Sequence, residues 1–215
     1  MIKNTLEMSL KVASLVILVW GFVLYGYATF EPLKVIAVED ADEIIITQSV
    51  TAGITISSPS DISLTPLTLI QNTAVASTTW NVITNNQAGY SLTIQASAAP
   101  ALKDNTTLET FADYTSVGKE TWSVVNAYEF GWSAFGNDVT GHGTDTDCAS
   151  TYDVPSTTLL WEGFDGTSPI QFASSTSETN QAGTETTLCV ATEQDIVFAP
   201  SGTYYATTTA TATTQ

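Results

Sequence analysis

From Ile44 onward, apolar and polar residues alternate with the period of two that marks half-buried strands. Ile44, Ile46, Val50, Ile54 and Ile56 fall on one face of an extended segment interrupted near Gly53. Ser58-Pro59-Ser60-Asp61 is a turn cluster, and TTWNVIT (78–84) and GYSLTIQAS (89–97) are the next strands. In the second of these, Tyr90, Leu92, Ile94 and Ala96 point one way and Ser91, Thr93 and Gln95 the other. The short Asn85–Gly89 connection predicts a hairpin between the two.

Further strands are expected over 120–126, 129–137, 157–164, 169–174, 184–192 and 195–200. The stretch 98–119 is less regular. It carries a sequon-like Asn105-Thr106-Thr107 and is expected to hold at most a short helical turn. The closing SGTYYATTTATATTQ (201–215) puts Tyr204, Ala206, Ala210 and Ala212 on one face and threonines on the other. Many short strands separated by turn signals predict an all-β protein, an Ig-like or jelly-roll-like antiparallel sandwich over residues 44–215.

One segment breaks this pattern. Val12 to Phe30 carries no charge, with Lys3 and Lys11 before it and Glu39, Asp40, Asp42 and Glu43 beyond it. The charge asymmetry orients the chain with its N-terminus inside and its body outside. Residues 1–37 are therefore expected to be a signal peptide or a signal anchor. Cleavage is slightly favoured, because small residues at Gly26-Tyr27-Ala28 and Val35-Ile36-Ala37 offer cleavage sites. Residues 38–43 form an acidic linker. The predicted architecture is one N-terminal hydrophobic helix followed by the sandwich, in an extracellular or cell-surface setting, with membrane contact only through residues 12–30.

Charge narrows the function. The chain has 5 basic residues against 22 acidic ones, a net charge of −17, and all five are lysines. Nucleic-acid binding needs a basic surface to displace counterions from phosphate, so it is excluded. The expected partners are other surface proteins or copies of the chain itself, with glycans as a further ligand class.

Cys148 and Cys189 are the only cysteines, and outside the cell they are most simply one disulfide. Free thiols and intermolecular pairing are the alternatives. Cys148 closes the stretch GHGTDTDC (141–148), which also holds the only histidine. Asp138, Asp145, Asp147 and Asp153 lie in or beside this Gly-containing loop. They are a candidate calcium set, since hard cations take carboxylate and carbonyl oxygens from flexible loops. The spacing departs from the twelve-residue calcium loop, and a solvated acidic loop is the plainer reading. No other cofactor is expected.

His142-Gly143-Thr144 and Gly166-Thr167-Ser168 echo protease motifs, but their close spacing in a β-rich chain does not suit that fold. No catalytic residue is assigned, and the chain is not expected to be an enzyme. Trp80, Trp122, Trp132 and Trp161 could stack on sugars if exposed; inward-facing indoles would be core, which sandwich packing favours.

The phrases TTWNVITNNQAGYSLTIQASAAPAL, FADYT, TWSVVNAYEFGWSAFG and SGTYYATTTATATTQ resemble exported Thr-rich β-sandwich surface proteins of ultra-small candidate-phyla bacteria. The resemblance runs over nearly the whole region after Ile44, and its most specific part is Trp80 to Ile94. It implies a secreted or cell-surface location and a sandwich fold. It carries over no activity and no site residue. The expected function is a non-catalytic structural or adhesive surface protein. A filament subunit assembled by strand addition and a carbohydrate-binding module are the alternatives.

Overall fold

The computed structural model describes residues 17, 18, 20, 45–114, 118–123, 126–164, 166 and 168–215. The chain divides into two units, Met1–Gln48 and Ser49–Gln215. In the first, Ile17, Leu18 and Trp20 are helical and exposed. The rest of the expected 12–30 helix and the acidic linker 38–43 lie outside the described residues. Among the described residues no helix is long and apolar enough to cross a membrane.

In the second unit, the described residues form β1 (Ile54–Ile56), β2 (Thr73–Thr84), β3 (Tyr90–Ala96), β4 (Lys103–Asp104), β5 (Ala112–Asp113) and β6 (Tyr128–Gly136). They continue with β7 (Ala149–Thr151), β8 (Val154–Pro155), β9 (Ile170–Ser175), β10 (Thr184–Gln194), β11 (Tyr204–Tyr205) and β12 (Thr208–Thr214). A five-stranded sheet runs β1-β2-β10-β6-β5 and a three-stranded sheet β12-β3-β9, with two small ribbons, β11-β4 and β7-β8. Pairing is antiparallel throughout, except that β5 lies parallel to β6. The all-β, mainly antiparallel character expected from the alternation is present.

Where the alternation is clean, it maps onto burial. Tyr90, Leu92, Ile94 and Ala96 of β3 are buried, while Ser91, Thr93 and Gln95 are half-exposed. Tyr204, Ala206, Ala210 and Ala212 pack against the core, and Thr209, Thr211 and Thr213 face solvent. Trp80 and Val82 of β2, Trp132 of β6 and Leu188 of β10 share one cluster with β3 and with Phe172 of β9. Residues of both larger sheets thus meet in a single core.

β6 departs from alternation because it is covered on both faces. Phe130, Trp132 and Ala134 enter that core. The opposite face lies under a layer of loops whose cluster contains Tyr114, Leu159, Trp161, Cys148, Cys189 and Ala191. Gly131 is required there: a Cβ would sit 2.7 Å from the Trp122 ring and 2.9 Å from Tyr114 Cβ.

Three expectations are corrected. TTWNVIT and GYSLTIQAS do not pair as a hairpin. β2 takes β1 and β10 as neighbours, β3 takes β12 and β9, and Asn85–Gly89 crosses from one sheet to the other. Gly89 makes that crossing, at φ +82° and with its N–H donating to Asn86 O at 2.9 Å. Next, 120–126 and 157–164 form only isolated bridges in their described residues, Glu120 with Trp161, Gly143 with Leu159 and Trp132 with Glu162. Their apolar residues are held by side-chain packing in the loop layer. Finally, 195–200 forms no strand, and in the N-terminal stretch the ladder begins only at Ile54.

A partly buried polar tie adds to the apolar core. Tyr90 Oη donates to Asp138 Oδ2 at 2.7 Å, joining β3 to the segment after β6. Tyr90→Phe should lower stability by about 2 kcal/mol, the scale for a hydrogen bond to a charged acceptor. Guanidinium unfolding would read this as a lower midpoint at unchanged slope.

Candidate functional site

The stretch 141–148 is built around its histidine. Gly141 and Gly143 take φ of +79° and +94°, which side chains disfavour. A Cβ on Gly143 would lie 2.2 Å from Thr158 O, so the glycine allows the chain to press against 158–160. Leu160 N donates to His142 O at 2.8 Å and closes this contact. His142 is thereby fully buried, its ring 4.8 Å from that of Trp132.

Around it stand groups the sequence reading did not single out. His142 Nδ1 lies 3.1 Å from Leu160 O and 3.4 Å from Ser133 Oγ, which itself donates to Leu160 O at 2.8 Å. Nε2 faces Glu162 Oε1 at 3.4 Å, and Lys119 Nζ lies 3.6 Å from the same oxygen. Burial, reinforced by Lys119, pulls the histidine down to about 4 from its ordinary 6.5. Burial raises the Glu162 carboxyl, against the pull of Lys119. A Nδ1–H directed at Leu160 O leaves Nε2 without a proton, and neither Nε2 nor Glu162 Oε1 has a hydrogen-bond partner among the described residues. Ser133 and His142 have no exposed surface, while the Lys119 and Glu162 side chains keep partial exposure.

The four aspartates considered for calcium do not converge. Asp138 accepts from Tyr90 and Asp153 from Thr65 Oγ1. Asp147 accepts from Ala149 N. Asp145 accepts from Ser156 and Thr158 hydroxyls, which hold it down to about 2. Among the described residues no three His, Cys, Asp or Glu side chains are grouped as they would be to hold a metal ion. The loop is a set of local turns secured by the Cys148–Cys189 disulfide, whose Cα atoms stand 5.4 Å apart.

The tryptophans do not make an exposed platform. Trp80, Trp132 and Trp161 are buried. Trp122 keeps partial exposure, but it stacks on Tyr114 at 4.7 Å and donates from Nε1 to Glu193 Oε2 at 2.6 Å. Aromatic mass is used here to fill two cores.

What the surface does offer is a set of exposed apolar side chains, with the exposed Asp195 beside them. Two adjacent loops cap one end of the five-stranded sheet, tied by Gln194 Nε2 donating to Thr68 O at 2.8 Å and Gln194 N to Asn72 O at 2.9 Å. They expose Leu69, Ile70, Ile196, Val197 and Phe198, with Ile70 at 95% and Ile196 at 88%. Isolated exposed apolar residues are ordinary; here five of them fall on two loops joined through Gln194. Comparison with protein-family models, curated proteins and solved structures finds no match to this chain.

Proposed function

We propose that this chain is a cell-surface or secreted structural protein that works by contact and carries out no catalysis. The exposed apolar end formed by Leu69, Ile70, Ile196, Val197 and Phe198 is the observation that carries this reading. It is a surface suited to a partner, while the chain's only histidine is sealed beneath the loop layer. An extracellular setting is supported by the Cys148–Cys189 disulfide, since such bonds persist in oxidising compartments. The acidic surface supports it too, because it keeps an exported domain soluble and distant from anionic lipid. The shared core of the five- and three-stranded sheets supports a two-layer sandwich of the Ig-like or jelly-roll-like kind.

Location is tested on the cells that make the protein. Protease added outside intact cells should digest it, and a thiol-reactive tag should label it only after reduction. Full protection from the protease together with two freely reactive thiols would overturn the extracellular reading.

A further inference from the structure

Of the nine asparagines in the chain, only Asn105 is followed two residues later by a serine or threonine, with no proline between. Asn105-Thr106-Thr107 is thus the chain's one triplet that accepts N-linked sugar wherever a transferring enzyme can reach it. The fold places it at a chain reversal. Lys103 bridges Thr110, Asp104 N donates to Glu109 O at 2.8 Å, and Phe111 N donates to Leu102 O at 3.0 Å. The stretches 102–104 and 109–111 therefore run side by side. Asn105, Thr106, Thr107 and Leu108 make the reversal, and all four are exposed. Binding and modification concentrate on such tips, because the rigid elements beside them present the tip without having to move.

What holds this reversal is the residue before the triplet. Asp104 is buried, and its Oδ1 accepts from Thr106 N at 2.6 Å and from Thr107 N at 2.9 Å. Its Oδ2 accepts from Thr203 N at 3.0 Å, which ties the turn to the residue before β11. An aspartate that bonds the backbone two residues on makes a turn by itself. The Asn105 side chain takes no part in it and makes no hydrogen bond among the described residues. An amide engaged in the fold would cost stability to give up; this one is free to react. A sugar on it extends into solvent and displaces no packed group.

We propose that Asn105 carries an N-linked glycan, transferred from a sugar diphosphate. In the transfer, Nδ2 bonds to the anomeric carbon of the sugar. The bond from that carbon to the diphosphate oxygen breaks, and the diphosphate leaves with the electron pair. One amide proton passes to a base of the transferring enzyme. A lipid-carried donor and a nucleotide-carried donor present the same reacting atoms. The proposal goes beyond the contact reading above, and the two fail separately.

The experiment compares the full chain recovered from the cells that make it with the same chain made in a host without protein glycosylation. Digestion and fragmentation mass spectrometry read the peptide holding Asn105. In the native chain this peptide should be heavier by whole sugar residues, attached at Asn105. Asn105→Gln and Thr107→Ala, expressed in the native cells, should each lose the added mass. Thr107→Ser should keep it, since the triplet accepts either hydroxyl. Asp104 is intact in all three, so the turn persists; Asn105→Gln decides alone if Thr107→Ala lowers the melting temperature. Blocking synthesis of the lipid carrier removes the sugar from a lipid-carried route and spares a nucleotide-carried one, and either result keeps the site. A native peptide at its sequence mass overturns the proposal, and if that chain was recovered outside the cells the export reading stands. Sugar that persists on the chain in Asn105→Gln overturns it as well, because the attachment then lies elsewhere.

Discussion

Replacing Cys148 and Cys189 together with alanine should lower the unfolding free energy by about 4 kcal/mol, the chain-entropy value for closing a loop of this length. The bond joins residues 41 apart in sequence, and both cysteines are buried. Cys189 sits within β10, registered between Ser133 of β6 and Ser77 of β2, so its position is set by two neighbouring strands. Cys148 belongs to the loop layer, where Ser156 N donates to its carbonyl at 2.9 Å. The disulfide therefore fastens the loop layer to the outer face of the five-stranded sheet. Its loss falls first on the packing of Trp161 and Leu159, and beneath them on the seal over His142. The check is guanidinium unfolding of the oxidised protein against the double variant, followed by both tryptophan fluorescence and far-ultraviolet circular dichroism. The fluorescence transition should move to lower denaturant by more than the dichroism transition, because the sheets keep their own core. Coincident transitions with unchanged midpoints would show that the bond contributes nothing to the fold.

That layer also marks where sequence reasoning succeeds and where it stops. Alternation reports which face of a strand is buried, and for β3 and β12 this was sufficient: each is covered on one face, so its pattern carries the answer. It does not report which strand lies alongside. Placing Asn85–Gly89 as a hairpin followed chain adjacency, whereas the ten-residue register of β2 with β10 separates β2 from β3. Where both faces are covered, as in β6, the pattern disappears, because Gly131 and Ser133 are as enclosed as Trp132. The disulfide was legible because only two cysteines existed to pair. The surroundings of His142 were not, since Ser133, Glu162 and Lys119 reach it from separate segments and none is unusual in its own context. The signal present in the sequence was the glycine on either side of the histidine, which announced close backbone approach without saying to what.

Replacing Glu162 with glutamine should make the protein markedly more sensitive to acid, with about 3 kcal/mol of stability lost as the pH falls from 6.5 to 4. The His142 pKa is depressed in the folded chain to about 4. The unfolded chain therefore takes up this proton first, and the group's contribution is complete above 6.5 and lost as the pH falls through about 4. Glu162 acts in the opposite sense. Its folded pKa is raised, so the folded chain retains a proton that the unfolded chain has released. That contribution is present below the ordinary glutamate value and is lost as the pH rises through the raised one. Nε2 and Oε1 lie 3.4 Å apart without a hydrogen bond between them; burial moves the two groups in opposite senses, so their slopes oppose each other in wild type. Glutamine keeps the shape of the side chain but cannot titrate, so the histidine's slope stands alone. Denaturant midpoints measured from pH 7 to pH 4 should fall more steeply for Glu162→Gln than for wild type, while His142→Gln in the same background should restore the shallow profile. Equal slopes for wild type and Glu162→Gln would mean that the Glu162 carboxyl titrates alike in the folded and the unfolded chain.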